Sequence, residues 1–299
     1  YYPTQDSSAA IKRFRGGEFD LLTDTMPPQQ VDWLKRTMPR EVHLSPYMLS
    51  QYFQFNLKAK PFDDLRVRTA LSLAIDREII CNKVMRGGET AAYAFVPPTL
   101  PGYPGKAQLR FKSMAMPARA TEARRLLAEA GFGPNNPLAF EFNTMNTTES
   151  KIVAVAFQEM WRQVGLRAHI IPSESQVHYA LLRKHDFSVG WSGWIADYRD
   201  AKDYLFLMQS STTDLNYSSY ASPRYDALMD KSDVTADPQR RFTILQQAEQ
   251  TVLDDAAIVP IFFGVTRNLV TPQVKGWVDN PINFHRSRWL SLDRKAALV

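Results

Sequence analysis

Reactive and ligand-holding side chains crowd into one stretch, Gly190-Trp191-Ser192-Gly193-Trp194-Ile195-Ala196-Asp197-Tyr198-Arg199-Asp200. A carboxylate set beside that much indole is costly unless something positive meets it. Three uses for it are open. Asp197 can take a charge-assisted hydrogen bond from a cation, with Trp194 supplying flat apolar surface at small entropic cost. This is binding chemistry, and the positive partner comes from outside the chain. Alternatively, Asp197 and Asp200 form a carboxylate pair of the glycosidase kind, with the tryptophans stacked on a sugar ring. The third use is structural: both tryptophans are core, and Asp197 caps a helix that begins near Arg199.

Other chemistry finds little support. The histidines (His43, His169, His178, His185 and His285) never fall at metal-ligand spacing. His169 alternates with apolar neighbours in "LRAHII" and is expected on a solvent face. There is no G-x-S-x-G elbow, no P-loop and no G-x-G-x-x-G fingerprint. Cys81 is the single cysteine, so no internal disulfide or cysteine cluster can form, and it reads as a small core residue. The net charge of +5 is spread along the chain in short groups such as "RFR" and "RKH", unlike the dense basic face of a nucleic-acid binder. No apolar run approaches the roughly 18 residues of a membrane span. No cofactor is expected.

These side chains need a frame, and 299 residues at 44% hydrophobic content can bury a substantial core. The stretch 63–84 reads as one helix from the spacing of Val67, Ala70, Leu71, Ala74 and Ile75, ended by Gly87-Gly88. "VPPTLPGYPG" is a fixed loop. A helix over 118–130, a strand over 138–142, a helix over 149–164, the strand "LRAHII", a helix over 177–184 and the strand "FSVGW" follow. That β-α-β-α-β order predicts an α/β layer, with the aromatic–acid stretch beyond a strand end where such folds bind ligands. Asp237 and Pro238 open a later helix to about Leu253, and "AIVPIFFGVTRNLV" reads as a pair of strand-like runs.

Five collinear segments carry a resemblance. They are "KPFDDLRVRTALSLAIDREIICNKVMRGGETAAYAFVPP", "ARATEARRLLAEAGF", "GWIADYRDAKDYL", "YSSYASPRYDALMDKS" and "QQAEQTVLDDAAIVPIFF". Together they resemble the C-terminal part of the peptide-binding proteins of bacterial ABC importers, solute-binding protein family 5, in its oligopeptide-binding (Opp-type) branch. The resemblance implies an α/β, periplasmic-binding-protein-like (type II) fold, with one complete lobe plus part of the other. Residues 1–55 would be a partial first lobe, 56–262 the second lobe, and 263–299 the return segment. It implies a binding protein and not an enzyme, with a short peptide ligand, ABC permease subunits as partners, no nucleic acid, and a periplasmic or lipid-anchored extracytoplasmic location. A signal peptide and an N-terminal first-lobe segment are expected to be missing from this chain, as in a truncated or proteolysed product.

The same resemblance implies site roles. Asp197 would pair with the α-ammonium of the peptide, Trp194 would line a side-chain pocket, and Tyr198 follows in the same motif. Tyr52 and Gln54, in "SPYMLSQYFQFN", would lie at the first crossing between lobes, and Phe263, in "IVPIFFGV", at the return crossing. "MNTTESK" would contribute Asn146, with Lys151 near the peptide's C-terminal end. Two positions depart from the pattern. Trp191 stands where the comparison leads one to expect an arginine, leaving Arg183 and His185 as basic groups for the ligand's carboxylate. Gln54 replaces an acid. Both departures suit a more apolar ligand. Related proteins carry sugars, nickel or haem, so the same fold with another solute is the alternative, and a carboxylate-dependent hydrolase the further one.

Overall fold

A computed structural model of the chain describes Tyr2, residues 6–23 and residues 26–293. Residues 1, 3–5, 24–25 and 294–299 of the expected flanking segments lie outside the described residues.

In chain order the elements are α1 (Ser7–Arg15), β1 (Leu21–Leu22), α2 (Val31–Thr37), β2 (Val42–Phe55), α3 (Leu65–Leu73), α4 (Arg77–Ile79) and β3 (Thr90–Ala91). Next come α5 (Met116–Glu129), β4 (Ala139–Met145), α6 (Thr148–Gln163), β5 (Arg167–Ser173), α7 (Ser175–Arg183) and β6 (Val189–Ile195). The chain closes with α8 (Lys202–Leu205), α9 (Pro223–Asp233), α10 (Pro238–Asp254), β7 (Ile258–Val270), β8 (Val274–Lys275) and β9 (Ser291–Leu292).

One mixed sheet runs in the order β1-β7-β2-β6-β4-β5, with β3 added on β7. β4 is parallel to both β5 and β6, so the β4-α6-β5-α7-β6 stretch is the expected α/β layer. β2 and β7 are the long members, antiparallel to each other, with register shifts between Pro46 and Ser50 and between Gln51 and Tyr52. Side chains on a strand alternate between faces. Phe53 and Phe55 therefore join Phe142, Phe157 and Trp161 in one core. Tyr52 joins Phe95, Tyr204, Tyr225 and Leu245 in the core on the opposite face. A smaller cluster packs Ile11, Phe14, Val31 and Leu34 of α1 and α2 against Leu269, near the far end of β7.

Two elements differ from the sequence expectation. The stretch 63–84 is not one helix: α3 stops, Asp76 caps α4 by accepting from the Ile79 amide at 3.0 Å, and a π-helical turn over Ile80–Met85 continues it. Arg77 explains the break. Its fully buried guanidinium donates to the carbonyls of Ser72, Ile75 and Pro260, which takes up acceptors freed where α3 ends. The C-terminal pair of runs is a single strand, β7. Gly264 does not interrupt it; a Cβ there would meet Leu49 Cδ2 at 2.7 Å, so the glycine admits a close cross-strand neighbour.

Candidate functional site

β6 is paired with β2 along its whole length, from Val189 opposite Phe55 to Ile195 opposite Leu49. Its other edge meets β4 only at Val189 and Gly190. From Trp191 to Ile195 no strand among the described residues covers that edge. Its Trp191 carbonyl is taken by His178 Nε2 at 2.7 Å, and Tyr179 of α7 lies beside Ser192 and Gly193.

β6 extends further than "FSVGW" suggested, through Trp194 to Ile195, and the chain then turns out at Ala196. Asp203, at the start of α8, organises that turn. Its buried carboxylate accepts from the Asp197 amide at 2.7 Å and from the Trp194 indole Nε1 at 3.2 Å. Burial pushes the Asp203 carboxyl up, and these donors pull it back. The Asp197 carboxylate itself is exposed and makes no hydrogen bond or ion pair among the described residues. Asp197 does not cap a helix, so that structural use is corrected. Asp200 instead accepts from the Lys202 amide at 2.8 Å, two residues on, and is gripped by Arg241 at 2.5 and 3.0 Å, while the residue that caps α8 is Ala201.

Two cavities flank this edge. The larger, about 850 Å³, has Gln51, Trp191 and Phe262 on the sheet, Asn146 to Ser150 at the start of α6, and residues 26–30 opposite. The smaller, about 260 Å³, lies between Tyr52, Ser192 and Trp194 of the sheet and Tyr179, Leu207 and Tyr217. Strand alternation explains the division. The pairs Tyr52–Ser192 and Ser50–Trp194 share one face, whereas Gln51–Gly193 and Phe53–Trp191 share the other.

The residues expected at the site are therefore distributed. Trp191 and Asn146 line the larger cavity, and Tyr52 and Trp194 the smaller. Trp191 is also core: its ring packs on Phe157 and Phe262, and its carbonyl accepts from His178 Nε2 at 2.7 Å. Asp197 and Tyr198 project into solvent just beyond β6. Phe263 is buried in the row of Ser50 and Trp194 and lines neither cavity. Gln54 is fully buried beside Gly190, with neither amide atom paired within the protein.

Three basic groups stay off the cavity walls. Lys151 is exposed on α6. Arg183 is exposed and hydrogen-bonds the Tyr217 hydroxyl, whose phenol burial pushes up. His185 has φ +56° and braces a junction: its Nδ1 is 2.9 Å from the Tyr217 carbonyl, and its own carbonyl accepts from Asn56 Nδ2 at 2.8 Å.

Asp203, Gln51, Phe262, Tyr179 and Tyr217 complete the site without having been expected. Parity along β2 and β7 would have pointed to Gln51 and Phe262, one residue from Tyr52 and Phe263. Nothing in sequence marks Asp203, because an acid six residues past Asp197 looks like any helix-start acid. Among the described residues no three His, Cys, Asp or Glu side chains gather as a metal would require. No helix among them is long and apolar enough to cross a membrane.

Residues 1–216 match the family model of the bacterial extracellular solute-binding proteins, family 5 Middle. The periplasmic oligopeptide-binding protein OppA of Escherichia coli (strain K12) is 33% identical over 278 residues, which cover 93% of this chain and 51% of the relative. Among solved structures, Haemophilus influenzae OppA in complex with RPPGFSPFR superposes with a TM-score of 0.87 at 31% identity, covering 96% of this chain and 56% of that one. The murein tripeptide binding protein MppA of Escherichia coli gives 0.89 at 27% identity, with 97% and 57% covered. The chain spans about half the length of the curated relatives it matches.

Proposed function

The chain belongs to family 5 of the bacterial extracellular solute-binding proteins, and from that premise we propose that it is the peptide-holding part of the extracytoplasmic component of an ABC importer. The observation that carries the proposal is a β6 edge that no described strand covers beyond Gly190, ending at a partnerless carboxylate. An extended peptide adds to such an edge by main-chain hydrogen bonds, which are indifferent to side-chain identity. Its α-ammonium then meets Asp197, the one charge-assisted contact at that end. Alternate side chains fall toward the two cavities on opposite faces of the sheet. The larger cavity has many polar groups in its lining, where waters can bridge to varied side chains, and the smaller is mainly aromatic.

In this proposal β2 and β7 are the crossings between two lobes, with residues 56–262 as the second lobe and residues 1–55 and 263–299 contributed to the first. Hinge motion at the crossings reports occupancy to permease subunits. The location is periplasmic, or extracytoplasmic on a lipid anchor. The hydrolase reading is disfavoured because Asp200 has both oxygens engaged, by Arg241 and by the Lys202 amide, and so is not free for acid–base work beside Asp197. A sugar or haem ligand would leave the Asp197 charge without a cationic amine to answer it, and a nickel ion would want more ligands than this single carboxylate, which no cluster among the described residues supplies.

Native mass spectrometry of the chain purified gently from cells tests the proposal. The expected result is a set of bound masses that sequence as short peptides, change with growth medium and vanish in Asp197→Ala. A bound sugar, metal or haem would overturn it.

A further inference from the structure

We propose that Asp203 is a positioning residue for the amine subsite, fixing where Asp197 presents its carboxylate by tying the Trp194 indole and the following backbone to one buried point. The inference rests on the reading that Asp197 receives the peptide's amine.

The segment from Ala196 to Ala201 lies between β6 and α8 and contains neither helix nor strand. Left to itself, such a segment samples many backbone conformations, and a carboxylate on it would hold no fixed direction. Asp203 prevents this from within. It is only 2% exposed, so it cannot reach a ligand. One oxygen, Oδ2, receives both the Asp197 amide and the Trp194 indole. The two donors belong to the pocket wall and to the ammonium acceptor. A single side chain thus couples the position of Asp197 to that of the small cavity. Trp194 is secured again from its other surroundings, its ring lying edge-on to Phe206 at 5.6 Å. Hydrogen bonds weaken steeply with poor angle, so loosening this point should cost amine recognition before it costs folding.

The experiment is a calorimetric titration of the chain with trialanine and with N-acetyl-trialanine at neutral pH, for wild type, Asp203→Ala and Asp203→Asn. The wild type is expected to prefer the free amine by at least about tenfold. Asp203→Ala should reduce that preference about tenfold by lowering affinity for trialanine and sparing the acetylated peptide. Asp203→Asn keeps one carbonyl acceptor and should lose about threefold, a partial rescue. Should the alanine variant not fold, the asparagine variant decides. The inference is overturned if either folded variant weakens both peptides equally, which is the mark of a merely structural role, or if the preference is unchanged. A wild type with no preference between the two peptides contradicts the Asp197 reading itself, a different result from either.

Discussion

Between Trp194 and Asp203 one buried carboxylate gathers an indole N–H and a backbone amide, while the Asp197 carboxylate nearby faces water without a partner among the described residues. Residue type and aromatic company are what single out Asp197 in the sequence, because an acid beside two tryptophans asks for a cation. The supporting acid was not legible, since burial is a property of packing and leaves no mark on a single letter. Replacing Asp197 with Ala is expected to lower affinity for a free-amine peptide about 10- to 100-fold. Thermal stability should stay within about 0.5 kcal/mol, as for an exposed unpaired side chain. Calorimetry and thermal melts of the one variant check both halves. Glu249 gives a second prediction. It is fully buried, accepts from the amides of Phe95 and Val96 at 2.8 Å each and from the Tyr103 hydroxyl at 2.6 Å, and burial still pushes its carboxyl up from 4.5 to about 7. The folded state therefore holds the proton more tightly than the unfolded chain. Its contribution to stability is complete below about pH 4.5 and is lost as pH rises through 7. Between pH 5 and 8, denaturant melts should show Glu249→Gln gaining on wild type by up to about 3 kcal/mol. A difference that does not change with pH would contradict this.

At the scale of elements, the β-α-β-α-β order could be read from hydrophobic period and punctuation, and it holds in β4-α6-β5-α7-β6. The interruption between α3 and α4 was hidden because apolar spacing continues across it, while the causes are a cap at Asp76 and a buried Arg77. β6 runs past the expected "FSVGW" through Gly193, where the glycine serves the strand by admitting Gln51 as a close neighbour. Its two glycines should respond differently to alanine. A Cβ at Gly190 would meet Leu182 Cδ2 at 2.6 Å and Phe187 Cδ2 at 3.2 Å, both held in one buried cluster with Tyr217, so Gly190→Ala should cost about 1–3 kcal/mol in denaturant melts. At Gly193 the Cβ would meet only the end of Gln51, with Nε2 at 2.8 Å, and that side chain can swing aside. Gly193→Ala should therefore fold with a cost below about 1 kcal/mol, while the displaced Gln51 narrows the larger cavity and weakens peptide binding. Equal destabilisation of the two variants would mean that the packing at Gly190 is looser than it looks.

At the scale of the whole molecule, no single motif was sufficient, and the family was legible because five stretches occur in the right order. The net charge of +5 marked nothing in particular, since many of the basic side chains are used in local pairs such as Arg125 with Glu122 and Arg162 with Glu159. What the sequence could not place is how the flanking pieces meet the middle of the chain. There Arg267 of β7 bridges Glu89 at 2.5 Å and Glu149 of α6 at 3.0 Å, and Arg86 meets Asp32 of α2 at 2.5 Å. The C-terminal segment also exposes Val278, Phe284 and Trp289, at 60–70% of their surface. Exposed apolar surface of this kind favours association. Sedimentation should show concentration-dependent self-association of the chain, reduced in Phe284→Ser/Trp289→Ser, and a monodisperse chain at all concentrations would contradict that. The central claim is that a peptide lies on the β6 edge with its amine at Asp197. A crystal structure of the chain with trialanine tests it most directly. The account predicts peptide main chain paired to β6 between Trp191 and Ile195, with the ammonium about 2.7–2.9 Å from an Asp197 oxygen; a peptide bound elsewhere, or with its carboxylate at that end, would contradict it.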